Sequence, residues 1–301
     1  MNTEPNVQSE RPTYQGRPLP RPEDEVVDQG LAFDITTLFN RRRALQVFGV
    51  GATGGLLAAC GVPTSTTSPS ATQTTTTPSA TTTSSATGAL TEIPEETAGP
   101  YPGDGSNGPD VLESSGVVRS DIRSSFGEST TTAQGVPMTL TLTLLDIAAG
   151  GGPMEGVAVY VWHCDRAGLY SMYSQGVTNE NYLRGVQITD ANGTVTFTSI
   201  FPACYSGRWP HIHFEAYPDQ ASITDASNAI ATSQVALPQN VCDAVYATTG
   251  YEQSVNNLSQ VTLTSDNVFG NDGGVYQLGT ATGDVTSGYT VTLSVPIDTR
   301  T

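Results

Sequence analysis

Apolar and polar positions alternate, or apolar residues run on, in six separated stretches: MTLTLTLLDI (138–147), GVAVYVWHC (156–164), GTVTFTSI (193–200), HIHFEAY (211–217), AIATSQVAL (229–237) and YTVTLSVPI (289–297). In an extended chain successive side chains point to opposite faces, so a period of two predicts strands with one buried face. The β-branched and aromatic residues that fill these stretches suit a pleated, half-buried surface. Turn signals such as Gly150-Gly151-Gly152-Pro153 and Asp190-Ala191-Asn192-Gly193 lie between them. Short strands spaced by turns predict an all-β domain, an antiparallel β-sandwich core with one short helix and long loops. The helix is PQNVCDAVYATTG (238–250), with Pro238 near its start and Gly250 after it. No internal repeat is visible.

Upstream of this pattern the periodicity vanishes. Residues 1–39 are polar and acidic, and read as a long disordered leader. The stretch NRRRALQVFGVGATGGLLAACG (40–61) carries three arginines, then an uncharged run from Ala44 to Ala59. That run is too short for a comfortable membrane span, and its flanks are those of an export signal. Arginines before a weakly apolar, Gly-rich run suggest the twin-arginine route, which carries folded proteins. The Leu57-Ala58-Ala59-Cys60-Gly61 ending resembles a bacterial lipoprotein signal, in which Cys60 is acylated and becomes the new N-terminus. From Pro63 to Thr87, 18 of 25 residues are Ser or Thr, too polar to bury a core, so this stretch reads as a stalk open to O-glycosylation. The expected organisation is a signal with its leader over 1–60, a disordered stalk over 61–90 and a catalytic β-sandwich over 91–301. The expected location is the outer face of the bacterial cytoplasmic membrane, lipid-anchored, or the extracellular space.

Charge narrows the partners. Beyond residue 90 there is no Lys, and six Arg face 22 Asp and Glu, a net charge of about −16. This argues against nucleic acid or an anionic membrane surface as partner, leaving the Cys60 anchor as the expected membrane contact. Beyond Cys60 three cysteines remain, Cys164, Cys204 and Cys242. An odd number in an oxidising compartment predicts one disulfide, Cys204 with Cys242, and a free Cys164 in its apolar strand. No Cys-x-x-Cys spacing supports a cysteine zinc site.

Candidate chemistry gathers in FPACYSGRWPHIHFEAY (201–217), which holds two of the three histidines of the chain. His211 and His213 flank Ile212 and project to one face of their strand, which makes half of a metal site or merely a polar sheet face. Tyr205 lies in the loop just before. A phenol titrates at about 10, so its binding as phenolate at neutral pH needs a strongly Lewis-acidic metal such as ferric iron. Zinc more usually takes His, Cys or carboxylate. At this level a copper or zinc enzyme using His-x-His, or a carbohydrate-binding sandwich on a stalk, remains an alternative.

Five ordered segments resemble the intradiol ring-cleavage dioxygenases: ETAGPYP (96–102), GVAVYVWHCDRAGLYS (156–171), NYLRGVQITDANG (181–193), FPACYSGRWPHIHF (201–214) and TSQ (232–234). The resemblance implies a non-haem Fe(III) cofactor held by two tyrosinates and two histidines: Tyr170, Tyr205, His211 and His213. Tyr173 and Tyr182 are competitors for the first position, with packing as their other role. It implies that Arg208 polarises the bound substrate and that Gln234 stands beside the iron, while His163 is a core histidine and Arg184 structural. The implied reaction cleaves a catechol-type diol with O2 between its two hydroxyls, giving a cis,cis-muconic acid. Tyr205 would yield its place to the substrate and accept a proton from it. The chain departs from the usual Arg-Pro-Ala-His-x-His in reading Arg208-Trp209-Pro210-His211-Ile212-His213. With no N-terminal helical dimerisation segment in view, the exported single-domain branch is expected. With few cations to meet a substrate carboxylate, catechol and neutral diols are expected before protocatechuate.

Overall fold

The structure is a computed structural model. It describes residues 90–300 and two short strands, Thr13–Tyr14 (β1) and Arg17–Pro18 (β2), which pair antiparallel. The arginine-rich export segment, Cys60 and the Ser/Thr stalk lie outside the described residues. Among the described residues, no helix is long and apolar enough to cross a membrane.

Two sheets form the sandwich. The first is built on Pro137–Asp146 (β3), where Met138, Leu140, Leu142 and Leu144 are buried and the intervening threonines face outward. Gly288–Ile297 (β11) runs parallel to β3 on one side and carries Thr280–Asp284 (β10) beyond it. Gly152–Pro153 (β4) and Thr194–Ile200 (β7) pair antiparallel along the other side of β3. The outer face of this sheet carries threonine rows, Thr282–Thr290–Thr139–Thr198 and Thr280–Thr292–Thr141–Thr196, aligned across four strands. Such a solvated face is what the alternating pattern requires of a sheet covered on one side only.

The second sheet is antiparallel throughout, in the order Arg184–Ile188 (β6), Ala158–Trp162 (β5), His211–Tyr217 (β8), Ala231–Ala236 (β9). Leu140, Leu142, Phe197 and Val291 from the first sheet meet Val159, Val161, Phe214 and Val235 from the second in one core. The opposite face of the second sheet is also buried: Tyr160, Trp162 and Tyr217 pack with Val111, Leu112, Val117 and Tyr170 from covering loops. Every residue of β8 is therefore buried. Ile212, Phe214 and Ala216 enter the sandwich core, and the alternate residues His211, His213 and Glu215 are placed beneath the loops.

Five of the predicted strands agree with the structure to within a residue or two at most ends, and the strand predicted over 156–164 is shorter, 158–162. The helix occupies Gln239–Tyr246 (α1), with Pro238 as its N-cap. A second helix, Glu252–Leu258 (α2), corrects the expectation of one: its sequence EQSVNNL buries only Ser254 and Leu258, so it carries no apolar stripe to read. The expected Cys204–Cys242 disulfide is also corrected. Cys164, Cys204 and Cys242 are all free and buried. Cys204 turns its sulfur to the carbonyl oxygen of Arg208 at 3.4 Å, and burial pushes its thiol up to about 12.

Candidate metal centre

Strand register assembles the site. Arg184, Trp162, His213 and Gln234 are cross-strand neighbours in one row over β6, β5, β8 and β9. The His213 ring stacks on Trp162, centroids 4.8 Å apart and 7° from parallel, which fixes its plane. His211, two residues along, brings its Nε2 to 3.1 Å from the Nε2 of His213. The Tyr205 hydroxyl lies 3.2 Å from His211 Nε2. Tyr170 comes from the loop after β5. Its ring packs edge-on to Tyr205 at 5.8 Å and to His213 at 6.3 Å.

The protonation states follow from burial. His211 Nδ1 lies 2.5 Å from the carbonyl oxygen of Trp209, an acceptor, so Nδ1 carries the proton and Nε2 presents a lone pair to the cluster. Burial, then the nearby Arg208 charge, holds His211 well below its ordinary pKa. Burial, then His211 and the two arginines Arg208 and Arg184, does the same to His213. Both imidazoles are thus neutral, the form that binds metals. Burial raises both phenols: Tyr170 well above the ordinary tyrosine value, with Tyr205 and Cys164 adding to it, and Tyr205 also upward, with Arg208 opposing. The Tyr170 hydroxyl is buried and makes no hydrogen bond of sound geometry. Such an orphan costs stability unless something takes it. The donor set therefore fits a Lewis-acidic cation strong enough to hold phenolates. Among the described residues, no group of three or more His, Cys, Asp or Glu is arranged to hold a metal; the side chains gathered around the His pair are the phenols of Tyr170 and Tyr205.

Gly99 closes the site from the other side. Its backbone sits at φ +72°, and a Cβ there would stand 3.2 Å from His213 Cε1. Glycine is required by both the left-handed conformation and the close approach.

The dioxygenase family model Dioxygenase_C matches residues 107–217, a span that contains Tyr170, Tyr205, Arg208, His211 and His213. The intradiol ring-cleavage dioxygenase from Tetranychus urticae is similar in structure, with 24% identity over 69% of this chain and 95% of that one and a TM-score of 0.53. A second dioxygenase structure is similar at 24% identity, over 69% of this chain and 94% of that one, with a TM-score of 0.54. No curated protein matches the sequence. The chain has the intradiol dioxygenase fold. The family resemblance read from the sequence agrees with the dioxygenase family model over residues 107–217, and the expected β-sandwich agrees with the structural neighbours.

Within this intradiol dioxygenase fold the expected site residues divide. Tyr170, Tyr205, His211 and His213 come together. Gln234 and Arg208 join them: Arg208 Nη2 donates to Gln234 Oε1 at 2.6 Å, and Gln234 Nε2 donates to the carbonyl oxygen of Thr97 at 3.0 Å. Burial works against the Arg208 charge, but Tyr205, Asp266 and Tyr170 outweigh it and hold its pKa above the ordinary value. Tyr173 is taken up elsewhere, accepting from the Gly103 amide at 2.8 Å and donating to Asn107 Oδ1 at 2.7 Å. Tyr182 donates to Asp165 at 3.2 Å. His163 bonds the Cys164 carbonyl through Nδ1 and Ser199 Oγ through Nε2, and burial lowers it to about 4. It is a neutral core histidine.

Arg184 is structural. Nε donates to Ser171 Oγ, Nη1 to the Pro102 carbonyl and Tyr160 hydroxyl, and Nη2 to the carbonyls of Tyr101 and Ser171. That accounts for all five donors of a guanidinium. It ties the Gly99-bearing loop to the Tyr170 loop. The sequence reading missed Asp266, which is 2% exposed and accepts from Arg208 Nε at 2.9 Å and from the Trp209 amide at 2.6 Å. No sequence signal marks it: Asp266 lies 58 residues from Arg208, in a Ser/Thr/Asn-rich loop that reads as a turn.

Proposed function

We propose that the chain is a non-haem Fe(III) intradiol dioxygenase that cleaves catechol and related neutral diols with O2 between the two hydroxyls, giving cis,cis-muconic acids. The observation that carries this reading is the convergence of Tyr205 Oη, His211 Nε2 and His213 Nε2 within 3.2 Å steps, beside the orphaned Tyr170 hydroxyl. Tyr170, Tyr205, His211 and His213 would hold the iron, and when bound it would draw electron density from the coordinated diol and so activate the ring towards oxygen.

The protein residues divide the remaining work. The two phenols differ in burial: Tyr170 is 1% exposed, whereas Tyr205 is partly exposed. Tyr205 is thus the phenol with room to move aside, and its Oη, held as a phenolate when the iron is bound, would be the base that takes a proton from the incoming diol. Tyr170 and His213, packed against Tyr101 and Trp162, stay fixed. Arg208 sits where its guanidinium stabilises the negative charge left on a deprotonated substrate oxygen, and Gln234 holds it there. Neutral diols are favoured because Arg184 has no donor left for a carboxylate and Arg166 lies against Gly250.

The deciding experiment is the visible absorption spectrum of the iron-loaded protein, before and after anaerobic catechol. A broad tyrosinate band that moves to longer wavelength with catechol is expected. A colourless protein at full iron occupancy would overturn the ligand assignment. The same reading includes export: an arginine-led signal and a lipid anchor at Cys60 would place the enzyme outside the cytoplasmic membrane. Cys60→Ser should then release the protein from the membrane fraction into the soluble one, and unchanged fractionation would refute the anchor.

A further inference from the structure

The strongest feature outside the four proposed ligands is the environment of Arg208. Asp266 is completely buried, and its side chain makes four bonds. Oδ2 accepts from Arg208 Nε and the Trp209 amide; Oδ1 accepts from the amides of Val268 at 2.8 Å and Phe269 at 3.0 Å. It is fixed in place by the backbone of its own loop and cannot swing away. Arg208 is held on three sides: by Asp266, by Gln234 Oε1, and by the Phe269 ring 5.9 Å from its central carbon. Asp266 lies beyond the residues matched by the dioxygenase family model.

We infer that Asp266 is a positioning and specificity-determining residue: by pairing with Arg208 it makes the cation beside the substrate part of a neutral pair, and so disfavours diols that carry a carboxylate. The inference rests on the catechol-type reading of the site. The physical argument is one of balance. An arginine alone in a buried site attracts a substrate carboxylate strongly, because charges in such surroundings are weakly screened. With a carboxylate at 2.9 Å from its Nε, Arg208 can still donate a hydrogen bond to a substrate oxygen, but the pair carries no net charge to reward a second anion. Among the described residues near the row, Arg184 is the other cation, and its five donors are taken.

The test compares catechol with protocatechuate, its carboxylated analogue, by anaerobic titration of the visible band and by kcat/KM, in the iron-loaded protein and two variants. Asp266→Asn leaves Arg208 uncompensated. The ratio of protocatechuate to catechol affinity should rise by about tenfold, the factor that corresponds to 1.4 kcal/mol. Gln234→Glu adds a second carboxylate against Arg208 Nη2 and leaves the Asp266 contacts in place, so the ratio should fall below that of the parent. A purely structural role would weaken both diols alike and leave the ratio unchanged. Ratios within twofold of the parent would overturn the inference; if Asp266→Asn does not fold, the Gln234→Glu ratio decides alone. Failure of the parent protein to bind catechol at all would instead refute the dioxygenase reading itself.

Discussion

At the scale of single residues, the orphaned hydroxyl of Tyr170 separates stability from metal binding. In the metal-free protein that oxygen is buried with no hydrogen bond of sound geometry and only the Tyr205 hydroxyl to interact with, so Tyr170→Phe removes a poorly satisfied polar group and should stabilise the apo-protein, by about 1 kcal/mol. The same change removes a proposed ligand, and iron content and the visible band should fall sharply. Thermal melting of the apo-protein and metal analysis of the loaded one check the two halves. Gly99→Ala should lose on both counts, because alanine is strained at φ +72° and its methyl would press on His213; a destabilisation of about 1–2 kcal/mol is expected, seen as a lower midpoint in denaturant. The His-x-His pair was legible in the sequence because strand period alone puts both rings on one face. Asp266 was not: its role is set by a tertiary contact between distant loops, and a lone aspartate among serines and threonines carries no pattern. The thiols misled for a related reason. Counting cysteines predicts pairing, but the direction in which each sulfur points is decided by packing.

At the scale of elements, β8 concentrates the chemistry because it is buried on both faces, and that burial has a consequence at Glu215. This carboxyl accepts from the Tyr217 hydroxyl at 2.7 Å, and burial, then the Asp104 charge, pushes it up to about 8 from 4.5. Below pH 4.5 it is protonated in folded and unfolded chains alike. Between 4.5 and 8 the folded state must keep a proton that the unfolded chain releases, so this group lowers stability as pH rises across that window. Glu215→Gln keeps an acceptor for Tyr217 and removes the titration. Its melting temperature should match the parent near pH 5 and exceed it near pH 9, and parallel melting curves at both pH values would refute the assignment. Strands with clean alternation, such as β3, β8 and β11, were legible to within a residue or so. The short β6 and the exposed β10 were not: RGVQI (184–188) is too brief to show a period, and TATGD (280–284) leaves nearly every residue exposed. The helix α2 lacked an apolar stripe altogether.

At the scale of the molecule, the acidic balance becomes a kinetic property. From residue 90 onward 22 carboxylates face six arginines, and the structure ties most of those arginines into local bonds. Arg119 spans the carbonyls of Arg184 and Ser124, Arg123 pairs with Asp121, Arg208 with Asp266 and Arg300 with Asp298. The long-range field is therefore negative over much of the surface, and an anionic diol approaches against it. Salt screens such a field over roughly 10 Å at 0.1 M and roughly 3 Å at 1 M. If the site acts on diols as proposed, raising the salt should increase kcat/KM for protocatechuate and leave that for catechol nearly constant, since a neutral diol feels no net force. The Asp266–Arg208 pair lies inside the protein, where mobile ions do not reach, so the selectivity it imposes should survive at high salt. Measured together, the two diols thus split discrimination into a surface part that salt removes and a buried part that it does not. If protocatechuate reached the catechol rate at high salt, the surface field alone would set the preference; a residual preference for catechol would locate the rest at the buried pair.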